Sequence, residues 1–243
     1  GIGYKPVEVN VSLEPGEVER LDVDIEKDIF EIESAVVSAN RNKTDRSETP
    51  VIINSITPKV FEQTESVDIS ESLNFSPGLR TENSCQNCGA KQIRMNGLEG
   101  QYTQVLINSK PLFSSLSSVY GIEQIPSSMI ERVEVIRGGG SALFGGNAIA
   151  GTINLITKDP LDNSYNVKTH SMLMAGESTD LSVDFNTSIV NEDHTNGIYL
   201  FGMNRNRDFY DANNDGFSEI PVMENTSFGF RSFFRPDKRS RFV

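Results

Sequence analysis

At 243 residues the chain is long enough to bury a sizeable core in one large or two small domains. Its 34 carboxylates against 22 Lys and Arg, a formal net charge of −12, argue against nucleic acid as a partner, because phosphate binding needs the opposite sign. No run approaches the roughly 18 consecutive apolar residues of a transmembrane helix, which leaves open membrane-crossing strands, whose alternating signal is far weaker.

No export signal stands at Gly1, so the chain reads as a mature or trimmed segment. Val7, Val9, Val11 and Leu13 alternate with polar residues, as do Leu21, Val23 and Ile25, across the turn Glu14-Pro15-Gly16-Glu17. This predicts a hairpin within residues 1–29, and since two strands alone are marginal in water it is expected to complete a sheet begun upstream. Beyond an acidic stretch, Glu33-Ser34-Ala35-Val36-Val37-Ser38-Ala39 is a short run with two valines between polar residues. Such a run can add as a strand to an exposed sheet edge; an ordinary strand of the flanking domains is the other reading.

Residues 40–50 are polar and end at Thr49-Pro50. A strand is predicted over 51–56, then helices over 58–63 and 66–75, the second capped by Ser66, with Ile69 and Leu73 on one face, and ended by Pro77-Gly78. Strands follow at 93–95 and 105–107, and Leu112 and Phe113 open a long loop. Helices alternating with short strands predict a small mixed α/β domain over 45–158.

Within it, residues 125–156 are the densest stretch. Pro126 suits the start of a helical turn, Val133 and Val135 alternate with Arg132 and Glu134 as a half-buried strand, and 149–156 reads as a second strand. Gly138, Gly139, Gly140, Gly145, Gly146 and Gly151 lie in or beside the connection and allow close backbone approach. A phosphate cradle fits poorly: Gly140 and Gly145 are followed by Gly146-Asn147 where a Walker loop needs Lys and Ser or Thr, and Leu143 occupies the third glycine position of a dinucleotide fingerprint counted from Gly138. A nucleophile elbow at Ser141 meets the same Leu143. Cys85-Gln86-Asn87-Cys88 holds both cysteines; zinc lacks nearby ligands, since only His170 and His194 exist, and the Asn- and Gly-rich surroundings are a loop, not a redox helix start. In an oxidising compartment, a Cys85–Cys88 disulfide pinning a loop tip is the expectation.

From residue 165 the pattern changes. Strands are predicted at 165–175, 179–190, 197–206 and 225–235; in the second, Leu181, Val183, Phe185 and Ile189 share one face and Asp180, Ser182, Asp184, Asn186 and Ser188 the other, apolar to lipid and polar to a lumen. Four strands cannot close a membrane barrel, whose smallest examples have about eight, so they are expected to form no native lipid-facing sheet alone. The long third connection carries Asp211, Asn213, Asp215, Gly216, Phe217 and Glu219 at positions 1, 3, 5, 6, 7 and 9 of a calcium loop, with Val222 where position 12 needs Glu. Calcium held by Asp211, Asn213, Asp215, the Phe217 carbonyl and Glu219 and a simple Asx-rich turn are both open.

The ordered run of helical turn, Glu131-Arg132-Val133-Glu134-Val135-Ile136-Arg137-Gly138, Ser141-Ala142-Leu143-Phe144-Gly145 and Ile153-Asn154-Leu155-Ile156-Thr157-Lys158 resembles the C-terminal signature of the plug domain of TonB-dependent outer-membrane receptors. The resemblance covers about residues 30–243 and is strongest over 83–158. It implies an α+β chain: a small mixed α/β plug domain followed by the first antiparallel strands of a truncated transmembrane β-barrel. Residues 1–29 resemble the last hairpin of a carboxypeptidase-regulatory-like β-sandwich, 30–44 a linker in which Glu33 to Ala39 is the TonB box, 45–158 the plug, and 159–243 the incomplete barrel. In that family plug loops touch substrate; by position these are 84–91, 96–102 and 113–120, with Asn87, Lys91, Leu98, Glu99, Gln101, Tyr102, Phe113 and Tyr120 as the contacting residues. The resemblance implies uptake, not catalysis: a scarce ligand binds at the outer face and a TonB-type energy-coupling protein engages the box. Glu131, Arg132, Glu134 and Arg137 are then structural ion pairs. The Ile107-Asn108-Ser109-Lys110-Pro111 and Arg137-Gly138-Gly139-Gly140 segments look like the iron-siderophore, haem and cobalamin branch rather than the starch-utilisation branch. No cofactor is required, calcium is optional, and outer-membrane lipid is the surroundings of the full-length protein. A glycan or peptide receptor of the same family and a soluble calcium-dependent binding module are the alternatives.

Overall fold

The computed structural model describes residues 52–85, 90–112, 121–139 and 144–236, with positions 16, 20, 22, 23, 35, 36, 44, 45 and 242 besides. The predicted N-terminal hairpin, most of the run from Glu33 to Ala39, the 113–120 loop, Ser141 and the Asn87-Cys88 tip lie outside the described residues.

In the N-terminal region strand β1 (Ala35–Val36) pairs antiparallel with β2 (Thr44–Asp45), Ala35 opposite Asp45. The globule begins at β3 (Ile53–Ile56) and α1 (Pro58–Gln63), whose Pro58 sits in the first turn, where its missing N–H is not needed. Helix α2 (Ile69–Leu73) is shorter than the predicted 66–75, and Asp68, not Ser66, is its N-cap. The reason is a reciprocal cap. The Asp68 carboxylate accepts the Glu71 N–H at 3.3 Å, and the Glu71 carboxylate turns back to accept the Val67 N–H at 3.0 Å. Ser66 is left to exchange a hydrogen bond with the Thr64 hydroxyl at 2.6 Å.

Strands β4 (Leu79–Cys85) and β5 (Ala90–Met95) form a separate two-stranded sheet. Strand β4 escapes the sequence reading because Arg80-Thr81-Glu82-Asn83-Ser84 has no apolar alternation; pairing with β5 defines it. Then come β6 (Thr103–Ile107) and β7 (Lys110–Pro111), joined through Asn108 and Ser109 at φ 48° and 64°, the paired left-handed residues of a tight hairpin turn. Strands β8 (Ile130–Arg137) and β9 (Gly151–Thr157) complete a five-stranded sheet ordered β3-β8-β9-β6-β7, parallel only between β6 and β9. Ile69, Leu73, Met95, Ile130, Val133, Val135, Ile153 and Leu155 are fully buried and form the core between this sheet and the helices. At Gly151 an added Cβ would lie 2.2 Å from the Ile136 carbonyl oxygen and 2.4 Å from Met95 Sδ, so the close approach expected of the glycine-rich connection is realised there.

The last four strands, β10 (Ser164–Met174), β11 (Ser178–Val190), β12 (Asn196–Arg207) and β13 (Met223–Phe234), pair in order as one antiparallel sheet. Its faces are reversed relative to a water-soluble protein. Leu181, Val183, Phe185, Ile189, Phe228, Phe230 and Phe234 stand exposed, whereas Asp180, Ser182, Asp184, Asn186 and Ser188 are buried against the globule. The four segments pair as one open sheet whose polar face the globule covers. Three glycines on the sheet each lie under a ring from the neighbouring strand: Gly202 under Phe185, Gly229 under Phe201 and Gly197 under Phe233.

Candidate functional site

The globule meets the sheet through polar groups. From β12, Arg205 reaches inward with its side chain only 3% exposed. It donates to both oxygens of Asp180 on β11, at 3.0 and 2.7 Å, to Asp68 at 3.0 Å and to Glu71 at 3.1 Å. The two globule acids are the capping residues of α2, so the same carboxylates that start the helix also bind the wall. Lys91 joins them, 3.6 Å from Asp68 and 3.0 Å from Glu123. Asp68, Glu71, Glu123 and Asp180 thus share the cations Arg205 and Lys91. A planar guanidinium with five donors suits this, since it can face several carboxylates at once.

A second cluster lies where the globule ends. Arg231 on β13 pairs with Asp159 at 2.9 Å and donates to the Thr157 carbonyl at 3.0 Å and to the Thr157 hydroxyl. Asn108 in the tight turn ties the same place, donating to the Thr157 hydroxyl at 2.9 Å while its carbonyl oxygen accepts the Thr157 N–H at 3.1 Å. Nearby, burial pushes the Lys158 ammonium below the ordinary lysine value, partly offset by Glu62, Asp184 and Glu131.

Between the clusters, Tyr199 of β12 inserts into the globule's apolar core and donates to the Ser128 carbonyl at 3.2 Å. Along the same boundary Ser128, Ser182, Ser188 and Ser227 bury hydroxyls that have no hydrogen-bond partner among the described residues. Such buried hydroxyls are the kind that interfacial water satisfies.

The expected site residues fall in several places. Leu98 and Tyr102 are exposed, and Glu99 accepts from Gln101 at 2.9 Å; these four do sit together on one loop and 3-10 turn. Lys91 is not a loop residue: it lies on β5 with its side chain 13% exposed, drawn in by Asp68 and Glu123. Asn87, Phe113, Tyr120 and Cys88 lie outside the described residues, as do Glu33, Ser34, Val37, Ser38 and Ala39; Cys85 and the pair Ala35–Val36 are placed by backbone only. In the long connection, Asp211 accepts the Asn214 and Gly216 N–H groups at 2.7 and 2.9 Å, Asp215 that of Phe217 at 2.8 Å, Asn213 that of Asp215 at 3.0 Å and Glu219 that of Ala212 at 2.6 Å. These acids are engaged with their own backbone, and among the described residues no group of three or more His, Cys, Asp or Glu gathers as for a metal. Of the strand acids and arginines read as ion pairs, Arg132 binds Glu134 at 2.9 Å and Glu131 at 2.5 Å, while Arg137 donates to the Pro77 carbonyl. For the cluster of Arg205, Asp180, Asp68 and Glu123 the sequence carries one local signal, the place of Asp180 on the polar face of its strand.

The model of the TonB-dependent receptor plug domain matches residues 45–152. The vitamin B12 transporter BtuB of Vibrio vulnificus is 28% identical over 156 residues, 64% of this chain and 25% of that protein. The ferric enterobactin receptor PirA of Pseudomonas aeruginosa is 32% identical over 108 residues, 39% of this chain and 15% of that protein. The chain therefore spans at most about a quarter of the length of these relatives. Among solved structures, a mutant of the ferric enterobactin receptor PfeA from Pseudomonas aeruginosa superposes with a TM-score of 0.64 at 22% identity, over 79% of this chain and 31% of that one. The siderophore receptor PirA from Acinetobacter baumannii gives 0.63 at 24%, over 76% and 29%. Residues 45–152 thus match the plug domain of TonB-dependent receptors, and the chain as a whole is similar to these receptors in its fold, a small α/β globule seated on the polar face of an inside-out antiparallel sheet.

Proposed function

We propose that the chain belongs to a receptor that takes up a scarce iron-siderophore or cobalamin-type ligand and makes or breaks no bond. The observation that carries this is the interface: an apolar outer face, a polar inner face, and a globule held to it by ion clusters, with buried hydroxyls along the same boundary. That construction suits a stopper that must shift without unfolding. The similarity to a vitamin B12 transporter and a ferric enterobactin receptor supports the ligand class. The exposed group Leu98, Glu99, Gln101 and Tyr102 is the part of the expected ligand-contact set that the fold keeps together.

The energy-coupling partner engages Glu33 to Ala39 by strand addition, for which the extended Ala35–Val36 backbone is suited. The test is uptake of radiolabelled cobalamin and of ferric enterobactin by cells whose own receptors are deleted, carrying the full-length gene. Uptake of either is expected, and a Val36→Pro change, which removes a strand N–H, should abolish uptake while cell-surface binding persists. Uptake of an oligosaccharide or peptide with neither of these ligands would overturn the ligand class and favour the other branch of the family.

A further inference from the structure

The connection between β12 and β13, residues 208–222, is closed on itself. Tyr210 and Ile220 exchange backbone hydrogen bonds at 2.9 and 3.1 Å, and the acids at 211, 215 and 219 lock the interior through backbone N–H groups. Its base is stitched too: Asp208 accepts from the Thr179 hydroxyl at 2.6 Å, and Arg207 donates to the Pro221 carbonyl at 3.2 Å. The connection is thus braced both within itself and at its base. Directly below it, Arg205 and Asn225 stand opposite each other in the β12–β13 register, and both grip the plug. Arg205 binds the α2 caps Asp68 and Glu71, and Asn225 donates to the Glu123 carbonyl at 2.9 Å, inside the 3-10 turn Ile122–Gln124. Glu123 and Asp68 are in turn joined through Lys91.

We propose that the 208–222 connection is a rigid lever, and that Arg205 and Asn225 are positioning residues which couple its movement to α2 and the Ile122–Gln124 turn of the plug. The inference needs only the plug and wall assignment, not the identity of the ligand, so uptake can succeed or fail independently of it. A displacement at the loop base tilts the paired strand ends, and because the guanidinium and the amide are each tied to a different plug element, both elements follow. Lys91 keeps the two from separating.

The test is hydrogen exchange on the intact receptor in detergent micelles, in calcium-free buffer. Asp211→Ala with Glu219→Ala loosens the lever without touching the plug. In the otherwise native receptor, exchange at residues 69–73 and 122–124 is expected to rise about five-fold or more, the low end of measured site-to-site coupling. In a receptor that also carries Arg205→Met and Asn225→Leu, the same loosening should change exchange there by less than about two-fold. No rise in the native background, or an equal rise in both, overturns the proposal. Protection of residues 181–190 reports whether the wall is intact. Should Arg205→Met lose it, Asn225→Leu alone replaces the pair, and the response must then vanish at 122–124 while persisting at 69–73; any other pattern overturns the coupling.

Discussion

Arg205 is charged, nearly inaccessible and shared by three carboxylates, so its value lies in what its removal leaves behind. Arg205→Ala leaves Asp180 a buried anion without its cation and Asp68 with Lys91 alone, and should cost ~3–5 kcal/mol, read as a lowered urea midpoint of the plug. Arg205→Lys should recover only part of this, because an ammonium on a flexible stem cannot present a fork to Asp180 and still face Asp68 and Glu71. Lys158 behaves differently. Its folded-state pKa lies below the ordinary 10.5 because burial disfavours the ammonium. In the window between that depressed value and 10.5 the unfolded chain holds the proton and the folded chain does not, so stability should rise with pH there and be lowest, and flat, below the window. Melting temperatures measured across mildly alkaline pH check the sign, and Lys158→Met should remove the rise.

At the scale of elements, two glycines make a contrast. Gly151→Ala pushes a Cβ against the Ile136 carbonyl and Met95 inside a fully buried strand, at φ 150°. Backbone cannot step aside there, and a loss of ~3 kcal/mol or failure to fold is expected. At Gly202 the obstacle is the tip of the Phe185 ring, 2.5 Å away but on a half-open outer face, so Gly202→Ala should cost only ~1 kcal/mol as the ring swings out. Thermal unfolding of the two variants side by side tests the ranking. The elements themselves were legible where periodicity was clean: the four late strands lie within two residues of their predicted bounds, as does 58–63, because alternation and Pro58 mark them locally. Strand β4 was not, since its polar sequence becomes a strand only by pairing, and the start of α2 was misplaced because Asp68-Ile69-Ser70-Glu71 is a stronger cap than Ser66. The charge cluster was illegible for a related reason. Arg205 and Asp68 are 137 positions apart, and nothing local in either says that they meet; only their placement on inward positions, readable for Asp180, hinted that they need partners.

For the molecule as a whole, the decisive feature is that a sheet with Leu181, Val183, Phe185, Phe228 and Phe230 on its open side holds its serines and aspartates inside. In water this arrangement exposes its apolar surface and spends its polar groups on the interior; in a bilayer both assignments become favourable at once, since the outer residues meet hydrocarbon and the plug supplies the inner face with partners. The environment can therefore be tested without knowing any ligand. Leu181→Arg changes an exposed residue, 45% accessible, on the strand that carries Asp180 and Ser182 inward. If the face meets lipid, the charge should lower folding stability in phospholipid vesicles by ~2–4 kcal/mol near the bilayer middle and less toward its edges. Ser182→Ala, on the buried side and with no partner for its hydroxyl among the described residues, should be neutral or slightly stabilising in the same assay. A soluble binding module predicts the reverse for the first change, because an arginine on a water-exposed apolar face improves solubility and costs nothing. Urea titrations of the intact receptor in vesicles, with the two variants beside the native protein, separate the cases: a native-like midpoint for Leu181→Arg would place the outer face in water and remove the barrel from the account.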